Sequence, residues 1–280
     1  MNFEGVVNHT YPIGIIRPST NFKGVTPVLP NTPDQVSLNG TLDKYLNPIL
    51  LNNAVATNSE ITRKLSEAGA PVKINIESFK KNVYNHSVDT KNIAVGIYNK
   101  LPDSLKPQAN LKDIAEGAIL HDLGKVLIPE SILTKKGQLN DKEKAIMELH
   151  SDLSYQLLRN QGVGNNVLNI VRFHHQNPKQ TGYPNMLLTH KMNLDGQIVA
   201  LADKYSALRE KRSYKAQMTE AQALEILRNE VNKGVSPQAY EALNKYVTGT
   251  KINPAQNNTT IPNTLYGNNG QRMQHKNIYV

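Results

Sequence analysis

The adjacent pair His121-Asp122, at the end of the apolar run Ala118-Ile119-Leu120, sets an imidazole beside a carboxylate. Both can ligate one metal ion, and the carboxylate keeps a second oxygen for another. Gly124 follows, where the backbone can turn, and Lys125 offers a cation beside the same spot. A buried His-Asp pair is equally satisfied by an ordinary core hydrogen bond, so the placement of the other histidines decides. The chain has no cysteine, which excludes disulfides, zinc-thiolate sites and cysteine nucleophiles. Any metal must then sit on His, Asp or Glu.

These groups need elements to aim them, and the sequence supplies helices from about residue 74 to about 247. Ile76, Phe79, Val83, Ile93 and Ile97 share one stripe of 3.6-residue spacing, and His86 falls on it. Leu111, Ile114 and Ala118 mark a second face that ends at His121 and Asp122. Asn140 with Glu143 forms a capping-box pattern, and the helix behind it runs Ile146, His150, Leu153, Leu157. A fourth shows Val167, Ile170, Val171 and His174, with His175 beside it. A fifth sets Asp203 four residues after Val199, with Ala202 alongside. Thr219 with Gln222, and Ser236 before Pro237, start two closing helices.

Five successive helices thus each aim an ionisable group down an apolar stripe. Burying one such group without a partner costs several kcal/mol. Two metal ions sharing a bridging carboxylate would satisfy the five histidines and two aspartates together. The predicted fold is an all-α helical bundle.

Outside that region the composition changes. Residues 1–40 are rich in Pro, Asn, Thr and Gly, and two short helical stretches follow near 41–52 and 57–68. After Gly249 the chain turns to Asn, Gln, Thr and Pro. The expected organisation is an irregular, partly disordered segment 1–73, a helical domain 74–248 and a disordered tail 249–280. The net charge of +9 is thinly spread, with no Lys/Arg block or aromatic-basic interleaving. That argues against a nucleic-acid groove and for attraction of a small anionic ligand. No apolar run approaches membrane-spanning length, and the N-terminus lacks a charged region before an apolar core. The expectation is a soluble, cytoplasmic protein with no membrane contact.

The pattern resembles the HD superfamily of metal-dependent phosphohydrolases, and within it the HD-GYP branch of cyclic di-GMP phosphodiesterases. The residues that carry the resemblance are His121-Asp122-Leu123-Gly124-Lys125, Ile128-Pro129, Ile132-Leu133, Lys135, His150 and His174-His175. Gly182-Tyr183-Pro184, Asp203, Ala207-Leu208 and Arg212-Ser213-Tyr214-Lys215 complete it. It implies one metal held by His86, His121, Asp122 and Asp203. A second would sit on Asp122 as bridge with His150, His174 and His175. Lys125 lies where the family keeps a phosphate-contacting lysine, and Tyr183 where its tyrosine contacts the ligand. Arg212 and Lys215 match further phosphate and base contacts.

Nitrogen and oxygen ligation suits iron or manganese, which the resemblance favours, with zinc or nickel as alternatives. Two such ions can lower the pKa of a shared water towards neutrality for in-line attack on phosphorus, with Asp122 and Lys125 as the catalytic residues. Three positions that are usually acidic in the family are here Gln176, Lys179 and Ser206. The expected function is hydrolysis of cyclic di-GMP. The alternatives are a phosphohydrolase with another nucleotide or phosphoester, and a non-catalytic nucleotide-sensing module.

Overall fold

The computed structural model describes residues 40–177, 181–184, 192–210 and 217–249. Among the described residues there is no strand, only an isolated bridge between Val231 and Val235. The order is α1 (40–45), α2 (Pro48–Thr57), α3 (Ser59–Glu67), α4 (Ile76–Asn82), α5 (Tyr84–Asn99) and α6 (Leu111–Leu120). A 3₁₀ turn, Leu123–Leu127, leads into α7 (Glu130–Leu133) and α8 (Asp141–Leu158). Then come α9 (Asn165–Phe173), α10 (Leu194–Arg209), α11 (Glu220–Arg228) and α12 (Pro237–Thr248). The predicted all-α class holds.

The helices begin where short polar side chains can satisfy their first N–H groups. The capping boxes predicted at Asn140 and Thr219 are both present, and Ser236 caps α12 ahead of Pro237. Asn47, Asn58, Asn75, Asn110 and Asn193 cap five more helices in the same way. Each such cap is typically worth about 1 kcal/mol. Gly249 ends α12 at φ 65°, a left-handed conformation that glycine adopts without strain.

Two differences from the expected layout bear on the site. The stripe from Ile76 to Ile97 is not one helix: Val83, at φ −123° and ψ −35°, breaks it into α4 and α5. The break lies three residues before His86 and sets the angle at which α5 presents it. Residues 40–73, read as irregular apart from two short stretches, hold three helices in the core. Leu42, Leu51, Ile61 and Leu65 are fully buried there, in one cluster with Leu153 and Leu157 of α8.

A second cluster joins α5, α6, α10, α11 and α12 through Ala94, Ile97, Ile114, Ala118, Val199, Ala202, Leu227 and Leu243. Helix α6 belongs to both, with Ile114 and Ala118 in one cluster and Ile119 and Leu120 in the other. Helix α9 divides likewise between Ile170 and Val171. His121 and Asp122 lie at the end of the first of these shared helices, and His174 and His175 at the end of the second. The 1–39 segment, the 250–280 tail, Lys179, Arg212 and Lys215 fall outside the described residues.

Candidate metal centre

His86 comes from α5, His121 and Asp122 from the end of α6, and His150 from α8. His174 and His175 follow α9, and Asp203 lies in α10. The structure brings the seven side chains together. Ligating atoms of His86, His121 and Asp203 lie within 4.8 Å of one another, as do those of His150, His174 and His175, and those of His121, Asp122 and His174. Asp122 faces both halves: Oδ2 lies 3.3 Å from His121 Nε2 and 3.7 Å from His86 Nε2, and Oδ1 lies 3.3 Å from His150 Nε2. Both His121 and Asp122 are fully buried.

The imidazoles are held from behind. The Nδ1 atoms of His121, His150 and His174 each lie 2.7 Å from the carbonyl three residues earlier, of Ala118, Met147 and Val171. A carbonyl accepts only, so Nδ1 carries a proton, and in a neutral ring Nε2 presents a lone pair inward. The Nε2 atoms of His150 and His174 then face each other at 3.4 Å, and His175 Nε2 lies 3.1 Å from that of His150. Burial pulls His150 down to about 3 and His174 to about 4, and holds His175 well below the usual range, so protons do not fill this gap near neutrality. Converging neutral nitrogens repel unless a cation lies between them.

The other half carries the negative charge. Burial opposes ionisation of Asp122, yet His121 and Lys125 hold it well below the usual carboxylate range. Burial likewise opposes Asp203, and the neighbouring His121 and His86 keep it low. Burial also works against a charge on His121, but the two carboxylates outweigh it and lift the ring to about 10. Without a cation the carboxylates therefore recruit a proton, whereas a ligating His121 must be neutral. A divalent ion held there would take the place of that proton and supply the same compensation. His121 Nε2 and Asp122 Oδ1 are buried without a hydrogen-bond partner among the described residues. The donor set, the inward nitrogens of His150 and His174 and these two orphaned atoms all fit bound metal.

Further contacts fix the centre. Lys125 Nζ lies 2.8 Å from Asp122 Oδ2, so the lysine is placed at the shared carboxylate. Tyr183 stacks on His175 with ring centroids 4.4 Å apart and planes tilted 31°. Its hydroxyl is buried with no partner among the described residues, and burial keeps the phenol neutral. The Tyr183 loop is docked by Gln176, whose Nε2 donates to the Pro184 carbonyl at 2.7 Å. An ionised glutamate at 176 has no proton to give that carbonyl.

Gly124 is needed for a different reason from the turn expected. It sits inside the 3₁₀ turn, and a Cβ there would lie 2.1 Å from the His150 carbonyl. Gly182 is comparable, since its Cβ would lie 2.0 Å from the His175 carbonyl. Ser154, missed in the sequence, donates its hydroxyl between the His121 and His150 carbonyls and accepts from Gly124 N–H at 2.7 Å. Its one sequence signal is a serine one turn after His150 on an apolar face. Asp152, also missed, is buried between Arg172 at 2.6 Å and Lys64 at 2.9 Å, tying α9 and α3 to α8.

Comparison with known proteins agrees with this geometry. The HD domain family profile matches residues 75–237, more than half of the 280 residues. The 3′3′-cGAMP-specific phosphodiesterase 2 of Vibrio cholerae is 36% identical over 132 residues, 46% of this chain and 25% of that protein. The cyclic di-GMP phosphodiesterase response regulator RpfG of Xanthomonas campestris is 34% identical over 139 residues, 49% and 36% of the two chains. A cyclic di-GMP phosphodiesterase of Vibrio cholerae is 29% identical over 205 residues, 69% and 42% of the two. The matched part is thus under half the length of each of these relatives. Among solved structures, Bd1817, an HDG"Y"P protein of Bdellovibrio bacteriovorus, superposes with TM-score 0.52 at 17% identity. That match covers 76% of this chain and 70% of the other, and shows a common fold.

Proposed function

The chain belongs to the HD domain family, and we propose that it is an HD-GYP-type phosphodiesterase that hydrolyses cyclic di-GMP. The observation that carries this reading is the convergence of inward Nε2 atoms from separate helices around one two-faced carboxylate, Asp122. His86, His121 and Asp203 would hold one divalent ion and His150, His174 and His175 the other, with Asp122 shared. The all-nitrogen-and-oxygen donor set suits iron or manganese. Bound ions would lower the pKa of a water and offset charge on phosphoryl oxygens.

The chain's own residues orient and neutralise. Lys125, beside Asp122, provides positive charge for the phosphoryl group. Tyr183 closes one side of the centre with its ring, a face on which a base can stack. Arg212 and Lys215 would contact phosphate and base, as the sequence resemblance implies. Residues 74–248 form the catalytic unit in this reading, acting in the cytoplasm without a membrane or nucleic-acid partner. No helix among the described residues is long and apolar enough to cross a membrane.

The relatives' names divide between cyclic di-GMP and 3′3′-cGAMP, so the assay must separate the two. Protein loaded with iron or manganese under anaerobic conditions should cleave cyclic di-GMP in preference to cGAMP, other cyclic dinucleotides and simple phosphoesters. Preference for another substrate would move the assignment within the family. Full metal content with no hydrolysis of any member would overturn the enzymatic reading.

A further inference from the structure

His86 is supported differently from His121, His150 and His174. His121, His150 and His174 each lean Nδ1 on a backbone carbonyl at 2.7 Å, which fixes the tautomer that leaves Nε2 free. His86 Nδ1 instead lies 3.2 Å from the hydroxyl of Ser206, and its Nε2 lies 2.9 Å from Asp203 Oδ1. Asp203 and Ser206 are three residues apart on α10 and both are buried, at 5% and 6% exposure, so the ring is clamped between two groups of one helix.

The two ends of that clamp have different chemistry. A carboxylate oxygen accepts, so the His86 Nε2 that faces Asp203 at 2.9 Å is the nitrogen that donates. Nδ1 is then an acceptor, and a hydroxyl, unlike a carbonyl, can donate to it. For Nε2 to ligate a cation it must lose that proton, and Nδ1 must carry one instead. Ser206 meets this state too, by turning its hydroxyl to accept. The ring holds one proton in both states, and Ser206 keeps its own, so the exchange is balanced.

We infer that Ser206 is a positioning residue that lets His86 exchange tautomers as a cation enters the His86–His121–Asp203 pocket. This rests on reading the cluster as a metal centre. It makes His86 the adaptable ligand of a set in which His121, His150 and His174 lean on backbone carbonyls. A methyl group at 206 would support neither state.

The test uses the full chain, Mn²⁺ with a competing chelator for affinity, and ¹⁵N shifts of the histidine side chains in ion-free and Zn²⁺-loaded protein for the tautomer. Ion-free wild type should show His86 protonated at Nε2, and loaded wild type at Nδ1. Ser206→Ala should weaken one of the two ions by about 10- to 100-fold and leave the other within about twofold. Ser206→Thr keeps the hydroxyl and should bind as wild type does. Wild-type affinity in a folded Ser206→Ala variant, or ion-free His86 already protonated at Nδ1 in wild type, would overturn the assignment. Wild type that binds no ion would overturn the metal reading and this assignment together.

Discussion

Asp122 is the residue on which the two halves of the centre depend, because its oxygens face His121 on one side and His150 on the other. Asp122→Ala should therefore lose both ions, whereas His150→Ala should lose one. Elemental analysis of purified protein decides this, and a fully loaded Asp122→Ala variant would remove the shared-carboxylate reading. The same centre sets a pH dependence in ion-free protein. An imidazole depressed by burial stabilises the fold above its unfolded value of 6.5, and that contribution is lost as pH falls towards the folded value. His150 and His174 should each give up roughly 2 kcal/mol between pH 6.5 and 5. His121, lifted to about 10, stays protonated in the folded chain across that window, while the unfolded ring gains its proton near 6.5, so it opposes the drop by under about 1 kcal/mol. Urea midpoints of chelated protein should accordingly drop from pH 7 to pH 5. A flat profile would mean that these rings are not buried neutral.

At the scale of elements, the centre is precise because helices touch through backbone. The 3₁₀ turn after Asp122 packs on α8 with no space for a side chain at Gly124, and Ser154 of α8 joins this segment through the Gly124 N–H and the His121 carbonyl. Gly124→Ala must push α8 and the 3₁₀ turn apart, which should cost about 1–3 kcal/mol, as overpacking does. It should also displace His150 relative to Asp122. The expected result is a lowered melting temperature together with weaker retention of the ion held by His150, His174 and His175. Normal metal retention in a destabilised variant would show that this contact serves folding alone.

For the whole molecule, the question is which parts of the chain the centre requires. The family match begins at residue 75, yet α1–α3 bury Leu42, Tyr45, Leu46, Leu51, Ile61 and Leu65 in the cluster that backs α8. At about 1.5–3 kcal/mol per large apolar side chain, their loss exceeds roughly 9 kcal/mol. That is comparable to the full stability of an ordinary domain, about 5–15 kcal/mol. Lys64 of α3 also pairs with buried Asp152, two residues from His150. A chain starting at residue 74 should therefore be largely unfolded by circular dichroism. A chain of residues 40–249 should melt cooperatively and bind metal. A stable, metal-binding 74–249 fragment would show that the N-terminal helices are dispensable.

The sequence alone determined the helical class and the identity of the clustered residues. It could do so because a 3.6-residue stripe fixes which side chains face inward, and an ionisable group on such a stripe needs a partner. His86, His150 and Asp203 were legible on that ground, as were the caps at Asn140 and Thr219. What periodicity does not carry is the distance between helices. Only the tertiary structure set Gly124 against the His150 carbonyl, Ser154 between two ligand carbonyls, and Asp152 between Lys64 and Arg172. It also made a clamp of Ser206, which in the sequence is an absent carboxylate and in space is the partner of His86. A local pattern reports the face a residue occupies, whereas a hydrogen bond across 120 positions exists only once two helices have packed.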